Sequence, residues 1–156
     1  RGKRVFGLFK RGPAAVKVKN HITDLMTAMR VSFRELTTGK RFDETTLHIV
    51  CTSIIVAAIM ERGVSSPRLM TALSDHVMNS YGLSLEEMQL TPVLAHGMLK
   101  GLNGKDTLQV KMSMLNDICP GHEFGIDGIR WFETSVNSAK DQIDSNLKDA
   151  IHTLSK

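Results

Sequence analysis

Apolar side chains recur at steps of three and four along most of this chain, the pattern of helices that each bury one stripe. Ile22, Leu25, Met26, Met29, Phe33 and Leu36 form the first stripe, with Asn20 as the expected N-cap and Gly39 as terminator. A second segment, FDETTLHIVCTSIIVAAIMERG, is apolar almost all round. Its β-branched residues suit a strand, yet about 19 residues between a capping Asp43 and a terminating Gly63 predict a helix. A helix apolar on every side belongs at the centre of a fold.

The same grammar continues. Ser66 caps, Pro67 takes the first helical position and Gly82 ends SSPRLMTALSDHVMNSYG. Ser84 and Glu87 have the spacing of a capping box, in which each side chain bonds the other's free backbone N–H. Thr91-Pro92 starts a new helix or kinks this one, which runs on to Leu102 before an Asn103-Gly104 turn. Asp106 caps a helix reaching Ile118, and Cys119-Pro120-Gly121 stops it. Asp127 is the expected cap of a long last helix with the stripe Ile129, Phe132, Val136, Ala139, Ile143, Leu147, Ala150 and Leu154, and Asp144 pairs with Lys148 on its polar face. No strand pair or internal repeat interrupts the series. The pattern predicts an all-α fold: a compact bundle of six to seven helices with a largely apolar central helix, a long C-terminal helix and an N-terminal arm. Residues 1–19 are the arm and residues 20–156 a single helical domain.

Composition refines this picture. Apolar residues make up 42% and charged residues 23% of 156, proportions of a globular protein rather than a disordered one. Aromatics are only 5% against nine methionines, so the core is expected to be aliphatic and Met-rich with little ring stacking. Two cysteines are too few for a disulfide framework; a reducing, cytoplasmic setting follows, with Cys51 as a small buried hydrophobe. The N-terminal residues lack the long apolar core of a secretory signal, and the apolar run at 49–60 is short for a bilayer span.

Charge changes the picture most. Residues 1–20 hold seven basic residues and no acid, leaving 13 basic against 16 acidic residues elsewhere, a net of −3. The net charge of +4 is therefore the work of one segment, and that segment, RGKRVFGLFKRG at its start, interleaves Val5, Phe6, Leu8 and Phe9 with Arg1, Lys3, Arg4, Lys10 and Arg11. Lys17 and Lys19 complete it.

Signatures of catalysis are sparse. There is no P-loop, GxSxG, HExxH, EF-hand loop or GxGxxG. GMLKGLNGK at 97–105 has the content of a phosphate cradle without its spacing and reads as a helix end and turn. Cys119 and His122 in CPGHE have ligand-like spacing, but a tetrahedral site needs four ligands and no second pair accompanies them. No metal or cofactor is expected. Trp131, the single tryptophan, is expected to pack against a neighbouring helix.

These features point to a non-enzymatic structural protein that works by association. The body self-assembles or binds a helical protein partner, and the arm binds an anionic membrane surface, with Phe6, Leu8 and Phe9 as a lipid wedge and the bases on headgroups. Such a protein is cytoplasmic and peripheral at a membrane. A helical body, basic apolar arm, many Met and few aromatics resemble, in composition alone, the matrix and nucleocapsid proteins of RNA viruses, which would add the virion as a location. Two alternatives differ in what they use. An RNA-binding or nucleocapsid-associated protein would place the same bases on phosphates, helped by Lys17, Lys19, Lys40 and Arg41. A small helical enzyme would build its site near His96, Cys119 and His122.

Overall fold

The structure, a computed structural model, describes residues 12–64 and 66–154. It is all-α. The described residues form α1 (Pro13–Leu36), α2 (Glu44–Glu61), α3 (Pro67–Tyr81), α4 (Leu85–Lys100), α5 (Thr107–Ile118) and α6 (Gly125–Gln142), followed by a π-helical turn (Ile143–Leu147) and α7 (Lys148–Leu154). The one extended contact among them is an isolated bridge between Leu102 and Lys105.

α2 is the axis of the bundle. It packs against α1, α3, α4, α5 and α6, and twelve of its 18 residues, Leu47 and Ile49 through Ile59, are buried. By length and composition this helix passes for a membrane span; 72% of it is buried inside the fold, as a core helix would be. Burying Thr52 and Ser53 there demands partners, since an unmet hydroxyl in an apolar interior costs about 1–3 kcal/mol. Both bond the helix's own carbonyls one turn back, Thr52 at 2.8 Å to His48 and Ser53 at 2.7 Å to Ile49.

The helix ends use the expected caps. Asp43 accepts from Thr46 N–H, Ser66 from Leu69 and Asp106 from Gln109. Ser84 and Glu87 close the capping box, and Gly82 ends α3 with φ 68°. Pro92 lies inside α4 rather than between two helices. Its missing N–H would have bonded the carbonyl of Met88, and the hydroxyl of the adjacent Thr91 donates to that carbonyl instead, at 2.8 Å.

Four expectations need correction. α1 begins at Pro13, with Gly12 before it and no side-chain cap, so Asn20 is an exposed interior residue rather than an N-cap. Ala15 and Val18 extend the buried stripe N-terminally from Ile22, which is why the helix continues back to the proline. Asp127 sits in the first turn of α6, which starts from Phe124. The last helix is not continuous α: Ala139, Ile143, Leu147 and Ile151, all buried, are spaced four apart, a spacing that drifts around a 3.6-residue helix, and the wider π turn at 143–147 realigns them. Finally, Asp144 does not pair with Lys148; it accepts from Arg62 at 2.6 Å, after the end of α2.

The scarcity of aromatics proved a poor guide to stacking. Phe33 is fully buried at the hub of a ring cluster, 5.3 Å from Phe42, 5.6 Å from Phe124 and 5.1 Å from Trp131, which meets Phe132 at 5.1 Å. Trp131 packs on α1 as expected, and its indole N–H donates to Ser32 Oγ (3.0 Å) and to the carbonyl of Met29 (3.2 Å).

Candidate binding stem and the polar junction beside it

Of the residues read as membrane- or nucleic-acid-binding, Arg1, Lys3, Arg4, Phe6, Leu8, Phe9, Lys10 and Arg11 lie outside the described residues. Lys17 and Lys19 do not belong to an extended arm: both are on the first two turns of α1, Lys17 exposed and Lys19 half-buried. Pro13 and Val16 are exposed on the same turns, Val16 by 42%. This is a rigid stem that carries the arm's mixture of cation and apolar surface onto the folded body. Lys40 and Arg41 are also exposed, in the turn after α1. A helix of 24 residues is roughly 36 Å long, so these two bases and the stem occupy opposite ends of it. They form no single local patch. Between them, Arg30 and Arg34 are each 3.5 Å from Glu44, bridging α1 to α2.

Beside the stem, α1, α2 and α3 meet in a polar junction that the sequence reading overlooked. His76 of α3 shares a hydrogen bond of 2.7 Å between Nε2 and Thr23 Oγ1 of α1, and its Nδ1 lies 3.3 Å from Ser80 Oγ. Tyr81, at the end of α3, stacks on His48 of α2 with centroids 4.8 Å apart. His48 Nε2 and Arg30 Nε are buried without hydrogen-bond partners. Burial, then the nearby Arg30 guanidinium, holds the His48 imidazole below its ordinary pKa, with Glu44 opposing. Burial, then Lys19, does the same to His76. Burial pushes the Tyr81 phenol up against an opposing hydrogen bond with Thr23. One signal was available: His76 lies three residues after Leu73 and seven after Leu69, on the apolar face of its own helix.

The residues suggested for catalysis or metal binding each make their own contacts. His96 is exposed on α4, Cys119 is buried, and its thiol donates to the carbonyl of Arg41 at 3.4 Å. His122 packs on Phe124 at 4.6 Å with its Nδ1 unpartnered. Among the described residues no group of three or more His, Cys, Asp or Glu is placed to hold a metal ion. Burial raises the Cys51 thiol far above its usual range, the opposite of an activated nucleophile. Two glycines of GMLKGLNGK serve packing: a Cβ on Gly101 would come within 2.1 Å of the Lys105 carbonyl oxygen, and one on Gly97 within 2.7 Å of Leu102.

Two other surfaces stand out. A cleft of about 350 Å³ opens where α2, α4, α5 and α6 converge, floored by Ala57, Met98 and Val136 and edged by Lys111, Glu133 and the Glu61–Lys140 ion pair. On α4, Leu85, Leu90 and Val93 are exposed by 62%, 49% and 50%.

No protein-family model, curated protein or solved structure matches this chain.

Proposed function

We propose that this is a non-enzymatic structural protein that docks on anionic membrane surfaces through residues 1–19, a viral matrix-type protein by its composition. One observation carries the reading: seven basic residues and no acid are concentrated with Val5, Phe6, Leu8 and Phe9 at one end of a chain whose remainder is net −3. Each base near an anionic surface is worth about 1 kcal/mol, and inserted Phe and Leu side chains add the apolar half of an interfacial anchor. The exposed Val16 and Lys17 on the stem extend the same chemistry to a rigid helix. The exposed apolar residues of α4 offer a second copy of the chain a face for self-assembly. RNA fits less well, since its phosphates would have to reach Lys40 and Arg41 at the far end of α1.

Co-sedimentation with vesicles of phosphatidylserine–phosphatidylcholine and of phosphatidylcholine alone tests this, comparing the whole chain with one lacking residues 1–11. Binding to the anionic vesicles only, abolished by the truncation and by Phe6→Ser with Phe9→Ser, is the expected result. If neither protein sediments with vesicles, the reading fails. Arm-dependent binding of single-stranded RNA with a steep salt dependence would then assign the bases to phosphates.

A further inference from the structure

α4 packs on the central α2 and buries Met88, Thr91, Ala95 and Met98 against the bundle. On the opposite side Glu86, Gln89, Leu90, Val93, His96 and Lys100 are exposed. Glu86, Val93 and Lys100 are seven residues apart, nearly two helical turns, so they follow one line that drifts only about 20° per step. Leu90 and His96 fill the turns between them. These are the three- and four-residue steps of a coiled-coil seam, apolar at its middle, acidic at its start and basic at its end. Leu102, packed over Gly97, continues the apolar surface beside the basic end.

That order is its own complement. In a second copy turned end for end about Val93, Val93 meets Val93, Leu90 meets His96, and each Glu86 meets a Lys100. A parallel pairing would set Glu86 against Glu86 and Lys100 against Lys100. The two charges cannot satisfy one another within a single helix, since 14 residues separate them by about 21 Å. Among the described residues neither forms an ion pair. Each already sits at the helix end that suits its sign, and an antiparallel copy gives each an opposite charge as well.

We propose that α4 is a two-fold self-association face, on which two copies of the chain pair antiparallel with Val93 on the axis. The inference deepens the proposed self-assembly and is independent of membrane docking. A two-fold interface presents the same patch from both copies, so every contact off the axis occurs twice. A face one helix wide covers less than the roughly 1,200–2,000 Å² of a stable interface, so the dimer is reversible, with a Kd on the order of 100 μM.

Sedimentation equilibrium of the full chain without vesicles, from about 10 μM to about 1 mM, should show monomer giving way to dimer. Val93→Glu should weaken the dimer at least about ten-fold, because two carboxylates then meet on the axis. Glu86→Lys or Lys100→Glu alone should weaken it about five-fold, since each creates two like-charge contacts. The two together should restore it, with circular dichroism showing every variant as helical as the parent. As a second readout, Val93→Cys should form a covalent dimer under copper phenanthroline faster than Val31→Cys, whose site is similarly exposed (50% and 54%); Cys51 and Cys119 are buried. A monomer at every concentration would overturn both the self-assembly and this face. A dimer indifferent to Val93→Glu, or a charge-swapped double variant as weak as the single ones, would overturn this face and leave self-assembly standing.

Discussion

α2 and α3 are of similar length, 18 and 15 residues, and were equally legible from their caps, yet they hold to the fold in different ways. α2 buries twelve residues and touches five other helices; α3 buries three and packs Met70, Met78 and Tyr81 only in part. The difference lies in the width of the apolar surface. A helix apolar on all sides has no face to give to water and draws the rest of the bundle around it, while a single stripe of Leu69, Leu73 and Val77, flanked by the partly buried Met70, Met78 and Tyr81, fills one groove. Burial is thereby concentrated in α2, and α3 is expected to open more readily than the axis of the bundle.

That contrast can be broken by mutation. The largest effect is expected from Ile54→Ala in α2: the side chain is fully buried, and the cavity it leaves should cost about 2–5 kcal/mol in urea unfolding. The loss should be global, with exchange protection lowered in every helix. Leu73→Ala in α3, equally buried, should cost about 2–3 kcal/mol, because an outer helix can settle into the gap; exchange in α3 should rise before the rest of the molecule responds. Equal, wholly global losses for the two would dissolve the distinction.

A smaller effect separates the two caps. Asp43→Ala removes one hydrogen bond to the start of α2 and should cost about 1 kcal/mol. Ser66→Ala removes the cap of α3 together with the bond to Leu154, so its cost should be larger, about 1–2 kcal/mol, with fraying of both α3 and α7 in exchange data. The smallest effect is expected at Arg62 and Asp144, both substantially exposed. Arg62→Ala should change the unfolding free energy by no more than about 1 kcal/mol, and less in high salt.

Where the sequence pattern succeeded and where it failed have the same explanation. Caps such as Asp43, Ser66 and Ser84 act on backbone groups two or three residues away, so their role is written locally. Asn20 looked like such a cap, but Ala15 and Val18 carry the stripe past it to Pro13, and burial of that stripe outweighed the preference of an asparagine for a helix end. The π turn at 143–147 was visible only as a run of four-residue steps, and a continuous helix accommodates such a run equally well until a neighbouring surface requires alignment. For the first turns of α1, composition identified the charge and position of Lys17 and Lys19; their separation from Lys40 and Arg41 needed the length of α1.

The helical class, the identity of the central helix, most helix ends and the division between a basic segment and a mildly acidic body are all properties of short windows of sequence, because hydrophobic period, capping and charge act over a few residues. Which polar groups meet was settled by packing. Thr23 finds His76 across 53 residues, Arg62 finds Asp144 across 82, and Ser32 finds Trp131 across 99. No local pattern specifies such pairs. They form because the apolar stripes, once buried against one another, bring those side chains to the same place.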